Sequence, residues 1–218
     1  ISGNSISALS TSGFSAATKA ISVKQGSVVN IFRNKIYGLN GTGKVIGIDM
    51  PPGLFGTYAI HNNLVGSFLG ENVINDNSVR GINIESVEAA NNFDIYYNTI
   101  NLNTNFAAFG AGSSGIYLTG NANGPVSLRN NIIVNTLGRS GSLGYGAIGI
   151  LASTNNSQTP GINYNDYYIA PASGTAYFGQ FNTTGQTTLA GWRTANGGDA
   201  QSINVLPVFT SATNLHLV

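Results

Sequence analysis

The residues able to carry acid–base chemistry are few and scattered. Eight carboxylates occur (Asp49, Glu71, Asp76, Glu85, Glu88, Asp94, Asp166 and Asp199) together with two histidines, His61 and His216. Glycoside hydrolysis needs two carboxylates facing each other across the scissile bond. A pair of carboxylates could also help to hold Ca²⁺, which takes oxygen ligands. Glu71 with Asp76, and Glu85 with Glu88, are near enough in sequence to meet, and Arg80 lies between the two pairs. Neither pair has the dense Asp/Asn/Gly spacing of a dedicated Ca²⁺ loop, so solvated pairs are the simpler reading. Zinc would require more imidazoles than His61 and His216. His61 has no nucleophile motif around it. No cofactor is expected; Ca²⁺ is the one ion with candidate ligands.

What would position such groups is a repeat. Gly-Ile-x-apolar occurs as Gly47-Ile48-Asp49-Met50, Gly81-Ile82-Asn83-Ile84 and Gly115-Ile116-Tyr117-Leu118, with looser copies at Gly149-Ile150-Leu151-Ala152 and Gly13-Phe14-Ser15-Ala16. The interval from each glycine to the next is the same throughout. Between them lies apolar-x-Asn-x-apolar: Phe32 to Ile36, Ile60 to Leu64, Tyr96 to Ile100, Leu128 to Ile132 and, loosely, Asn163 to Tyr167. From Gly47 onward each Asn follows its Gly at nearly constant spacing, from Gly47 and Asn62 to Gly149 and Asn165. A period of about 34 residues also suits helix-pair repeats, but those need apolar residues at i, i+3, i+4 and i+7. Here apolar residues alternate, and the variable stretches carry Gly, Asn and Pro. Period two implies strands.

Short strands at a fixed long period predict a solenoid in which equivalent residues stack about 4.8 Å apart. Three inner columns are expected: Phe14, Ile48, Ile82, Ile116, Ile150; Ala16, Met50, Ile84, Leu118, Ala152; and Ile36, Leu64, Ile100, Ile132, Tyr167. Asn34, Asn62, Asn98, Asn130 and Asn165 are assigned to an internal asparagine ladder, since Asn tolerates the left-handed conformation of a sharp bend and its amides bond from rung to rung. Column arithmetic puts Asn83, Tyr117 and Leu151 beside Asp49, with no second acid. It places Arg33, His61, Tyr97 and Arg129 in one outward column.

The Gly-Ile and Asn pattern resembles the parallel β-helix repeat of the pectate-lyase-like superfamily, over roughly residues 1–180. The resemblance implies an all-β, right-handed parallel β-helix of about five to six rungs. That superfamily includes polysaccharide lyases and hydrolases, phage tailspikes and large adhesins, so the fold alone does not choose a function. Residues 181–218 read as a C-terminal cap. A short helix is expected from Thr187 to Arg193 with a Thr N-cap, followed by strands at Ser202 to Val205 and Leu215 to Val218. The order Trp192, Asp199, Ser202, Pro207, Phe209, Leu215, His216, Leu217 resembles a tail of Bacteroidota-type secreted β-helix proteins, with Leu206 where that tail usually has Asp. Trp192 is most simply a cap residue, with sugar stacking as the functional alternative.

Composition narrows the partners. Of 218 residues, 8% are charged and 42% hydrophobic, and Asn and Gly number 29 each. The nine Lys and Arg are too dispersed to neutralise a phosphate backbone, so nucleic acid is not expected. No apolar run reaches about 18 residues, the length a membrane helix requires. With no Cys there are no disulfides or thiolate sites. Ile1 already reads as strand, suggesting a processed product or a piece of a longer chain whose uncapped first rung could pair end to end with another copy. The insertions Gly66 to Arg80, Asn103 to Ser114 and Asn135 to Ala147 carry aromatic residues, and Phe68, Phe106, Phe109 and Tyr145 are the expected glycan contacts. The sequence therefore favours a non-catalytic module of a bacterial surface or adhesion protein, extracellular or on the cell surface, meeting polysaccharide or another surface protein. An enzyme degrading acidic polysaccharide is the rival.

Overall fold

The computed structural model describes residues 1–12, 16–68, 79–85, 91–103, 112–119, 126–137, 147–152, 161–171, 174–181 and 183–218. They form an all-β parallel solenoid with one short helix. Three parallel sheets make its walls. The glycine face stacks Thr18–Ser22, Val45–Met50, Val79–Ile84, Ser113–Leu118, Ala147–Ala152 and Ala176–Phe181. The ladder face stacks Ser5–Ser7, Lys35–Tyr37, Leu64–Gly66, Thr99–Leu102, Ile132–Asn135 and Asp166–Ile169. A third face, not foreseen as a separate wall, stacks Val28–Phe32, Thr57–His61, Asn92–Tyr96 and Val126–Arg129. Two faces carry six parallel strands among the described residues. The third carries four, so complete turns number about four rather than five to six.

The even register of the glycines holds on their face, where Ile48, Ile82, Ile116 and Ile150 are successive partners. The glycines are required by close approach. A Cβ on Gly81 would lie 2.6 Å from the Gly115 carbonyl oxygen and 2.5 Å from Ile100 Cγ2, and Gly47 and Gly115 are similarly crowded. The first rung departs from the period. Ile21, not Phe14, pairs with Ile48; Phe14 lies outside the described residues and Ala16 is exposed.

The interior is an aliphatic stack. Ile31, Ile60, Ile95 and Leu128 line the third face, all at 0% exposure, and Tyr58 stacks on Phe93 with ring centres 4.8 Å apart. Each such side chain contributes about 1.5–3 kcal/mol by burial.

On the ladder face the expected inner column slips by one residue at two rungs. Ile36 pairs with Val65, Val65 with Ile100, Ile100 with Ile133, and Ile133 with Tyr167; Leu64 and Ile132 are their neighbours, on the other side of the pleat. The ladder slips with it. Its members are Asn34, Asn63, Asn98, Asn131 and Asn165, preceded by Asn4. Asn62 and Asn130 are exposed corner residues, at φ 54° and 56°. In both Asn-Asn doublets the first residue makes the left-handed bend and the second turns its amide inward. The bend and the ladder are therefore two adjacent positions, and a one-residue error exchanges inside for outside.

Each ladder amide binds two rungs at once. Asn63 Oδ1 accepts from the Asn34 backbone N–H at 3.1 Å and from Asn34 Nδ2 at 2.9 Å. Asn63 Nδ2 donates to the Ile31 carbonyl and to Asn98 Oδ1, both at 2.9 Å. The pattern repeats through Asn98, Asn131 and Asn165. Buried amides satisfied in this way hold the bend against the cost of a left-handed residue, about 1–2 kcal/mol.

The solenoid ends where Thr184–Gln186 pairs antiparallel with Ala176–Phe181. The helix Leu189–Asn196 follows, with Thr188 as N-cap accepting from the Gly191 N–H at 3.0 Å. Trp192 is wholly buried, 4.9 Å from the Phe181 ring, so it is a cap residue and cannot stack on a sugar. Ser202 to Val205 is not a strand, although Ile203 bridges to Asp166. The terminal hairpin is Phe209–Ser211 with Asn214–Leu217.

Candidate binding surface

The left-handed corner places one outward side chain per rung: Arg33, Asn62, Tyr97, Asn130 and Tyr164, with φ between 54° and 57°. Arg and Tyr have no local preference for this conformation, unlike Asn. Tyr97 is 57% exposed and Tyr164 56%. They sit two rungs apart, about 9.6 Å along the axis.

Beside the corner, the last outward position of each third-face strand forms a second column. Phe32 pairs with His61, His61 with Tyr96, Tyr96 with Arg129, and Arg129 bridges to Asn163. The Phe32 and His61 rings stack at 5.1 Å and 3°, and His61 and Tyr96 at 4.8 Å and 2°. Tyr97 meets Tyr96 edge-on at 5.7 Å. The expected column Arg33–His61–Tyr97–Arg129 thus separates into two adjacent ones, for the same one-residue reason.

His61 is part of this surface. Asn62 Nδ2 lies 3.0 Å from its Nδ1 and its ring is held between Phe32 and Tyr96. Burial, and secondarily the Arg33 charge, lower its pKa, which keeps the ring neutral near pH 7. The stripe is flat and aromatic, edged by amides and guanidinium groups.

The acids are placed differently. Asp49 is 1% exposed and has both oxygens engaged: Oδ1 accepts from Asn83 Nδ2 at 2.6 Å, and Oδ2 from Lys19 Nζ at 2.6 Å and Ser22 Oγ at 3.0 Å. Asn83 and Tyr117 follow Asp49 in register, as the arithmetic required. Arg80 donates to Asn83 Oδ1 at 2.6 Å and to Glu85 Oε1 at 2.8 Å, and lies 3.6 Å above the Tyr117 ring. Lys19, Asp49, Arg80 and Glu85 make a charge-balanced network that ties three rungs together. The sequence hinted at it only through the Asp49–Asn83–Tyr117 column; Arg80 enters from the start of the same strand as Asn83, which strand alternation does not suggest. Glu71, Asp76 and Glu88 lie outside the described residues.

Of the expected glycan contacts, Phe68 is overturned. It is 0% exposed, and its ring tip lies 3.2 Å from where a Gly47 Cβ would be, in space the missing side chain leaves inside the coil. Phe106, Phe109 and Tyr145 lie outside the described residues. His61 and Tyr97 were expected to point outward, but the aromatic stripe they form with Phe32 and Tyr96 was not assigned to ligand contact. The repeated x-Asn step with Tyr at the bend, as in Tyr97-Asn98 and Tyr164-Asn165, was the available signal.

Among the described residues no group of three or more His, Asp or Glu side chains could hold a metal ion, and no helix is long and apolar enough to cross a membrane. No known protein family, curated protein or solved structure matches the chain.

Proposed function

We propose that this chain is a non-catalytic, extracellular β-helix module of a bacterial surface or adhesion protein, related to the pectate-lyase-like superfamily, which contacts glycans through its aromatic corner. The observation that carries this reading is the pair Tyr97 and Tyr164. Both are more than half exposed in a conformation that Asn or Gly would adopt at lower cost, and the first is backed by the Phe32–His61–Tyr96 stack. Aromatic rings supply large rigid contact area, and adjoining amides supply hydrogen bonds to hydroxyls. The low charge and Asn/Gly richness suit a rigid module built of many short strands joined by turns.

Degradation of acidic polysaccharide is the weaker reading. It needs Glu71 with Asp76, or Glu85 with Glu88, to bind Ca²⁺ near Arg80; of these acids Glu85 alone is among the described residues, and it pairs with Arg80 at 2.8 Å. Affinity electrophoresis through gels of neutral and acidic polysaccharides with Ca²⁺, combined with an assay for reducing and unsaturated ends, tests the choice. The module reading expects retardation in at least one gel without new ends. Release of ends from any polymer would overturn it.

A further inference from the structure

The aromatic stripe runs into a groove at the last rung. Tyr164 forms one wall, Asn130 and Asp166 line it, and Gln201 and Ile203 of the C-terminal segment close the far side around about 330 Å³. Its wall is braced. Tyr164 donates its backbone N–H to Asn163 Oδ1 at 2.9 Å, the same oxygen accepts from the Gln201 N–H at 2.9 Å, and Asn163 Nδ2 donates to Gln201 Oε1. Asp166 uses one carboxylate oxygen, Oδ1, to accept from the Val205 N–H at 2.9 Å. No described residue bonds its second oxygen.

We propose that this groove is a saccharide-binding subsite for a neutral, hydroxyl-rich glycan, stacking one ring on Tyr164 and giving hydroxyl hydrogen bonds to Asp166 Oδ2, with Asn130 and Gln201 alongside. The inference rests on the glycan-contact reading above and goes further, assigning the site and the charge class. Acceptor capacity decides that class. A carboxylate facing the ligand accepts from sugar hydroxyls and repels a uronate. Burial also raises the Asp166 carboxyl above its ordinary value, opposed by the bond from the Val205 N–H. Ile203, 51% exposed, offers an apolar rim to the opposite face of the ring.

The test is calorimetric titration of the whole chain with neutral hexasaccharides (gluco-, manno-, xylo- and galacto-configured) and with hexagalacturonate. Tyr164→Ala, Asp166→Asn and Tyr97→Ala are titrated in parallel, each first shown to melt as the parent does. The proposal expects a neutral ligand to bind, Tyr164→Ala to weaken it about tenfold or more, and Asp166→Asn to narrow the preference over hexagalacturonate. If Tyr97→Ala abolishes binding while Tyr164→Ala and Asp166→Asn leave it unchanged, the groove assignment fails and the stripe reading stands. Tighter binding of hexagalacturonate than of every neutral ligand defeats the charge class alone. If the parent binds none of the five, both readings fall.

Discussion

Asn165, the last ladder residue, directs its Nδ2 to the carboxylate of Asp199, 3.3 Å away. The amide chain from Asn4 onward donates in one direction only, so its end must be an acceptor, and an ionised carboxylate is the purest acceptor available. Asp199 also accepts from Trp192 Nε1 at 2.9 Å, Tyr167 Oη at 3.1 Å, Asn196 Nδ2 at 3.1 Å and Ser202 Oγ. One buried side chain therefore ends the ladder and anchors the cap.

Replacing Asp199 with Ala leaves several buried donors unsatisfied and is expected to cost about 3 kcal/mol or more. Urea unfolding followed by Trp192 fluorescence reads this directly. A loss under about 1 kcal/mol would show that the cap does not depend on this carboxylate.

The same residue sets a pH dependence. Burial raises the Asp199 carboxyl above its ordinary value, although bonds from Ser202, Asn165, Tyr167 and Trp192 oppose the shift. Asp166 is raised as well, first by burial. With the folded pKa above the unfolded one, near 3.9, the folded state holds more protons between the two values. This part of the stability is present below the unfolded pKa and falls as pH rises through the folded one. Asp199→Asn is expected to flatten that slope. Melting temperatures from about pH 4 to 7 check it, and an unchanged slope in the variant would exclude Asp199 as its source.

The two Asn doublets separate bend from ladder. Asn63→Ala strips partners from Asn34, Asn98 and Ile31 and is expected to cost about 2–4 kcal/mol, whereas Asn62→Ala gives the strain of a left-handed alanine and loses one exposed bond to His61, about 1 kcal/mol together. Denaturant midpoints for the pair, and for Asn130→Ala against Asn131→Ala, measure the contrast. The reverse order would restore Asn62 and Asn130 to the ladder.

That register shows where sequence reading reached its limit. The glycine column was legible because Gly47, Gly81, Gly115 and Gly149 recur at a fixed interval for a steric reason that admits no other residue. The ladder was legible as a type, since Asn recurs once per turn. Its position was ambiguous at Asn62-Asn63 and Asn130-Asn131, because the same residue type suits an exposed bend and a buried amide. Spacing held the answer: Asn63, Asn131 and Asn165 follow Gly47, Gly115 and Gly149 at one common interval, which Asn62 and Asn130 break. The first rung escaped the pattern because its turn is shorter than the later ones. Lys19 faces Ile46, a smaller step along the chain than that from Ile46 to its next partner, Arg80. The stripe was legible only in part: His61 and Tyr97 were placed outward, but a Tyr at a left-handed bend is locally unfavourable, so the corner position of Tyr97 and Tyr164 was not expected.

Gly81→Ala tests the close approach. Its Cβ would meet a backbone oxygen at 2.6 Å, which cannot swing aside as a flexible side chain does, so the rungs must part. A cost of about 1–3 kcal/mol is expected in thermal or denaturant unfolding. A neutral result would remove the steric account of the glycine column.

The most direct test of the account is calorimetric titration of the parent chain and a Tyr97→Ala/Tyr164→Ala double variant with the neutral hexasaccharides, the reaction mixtures afterwards assayed for released sugar ends. The account predicts binding by the parent, loss of about a hundredfold in affinity in the double variant with its melting temperature kept, and no product from either. Equal binding by both proteins, or product released by the parent, would contradict it.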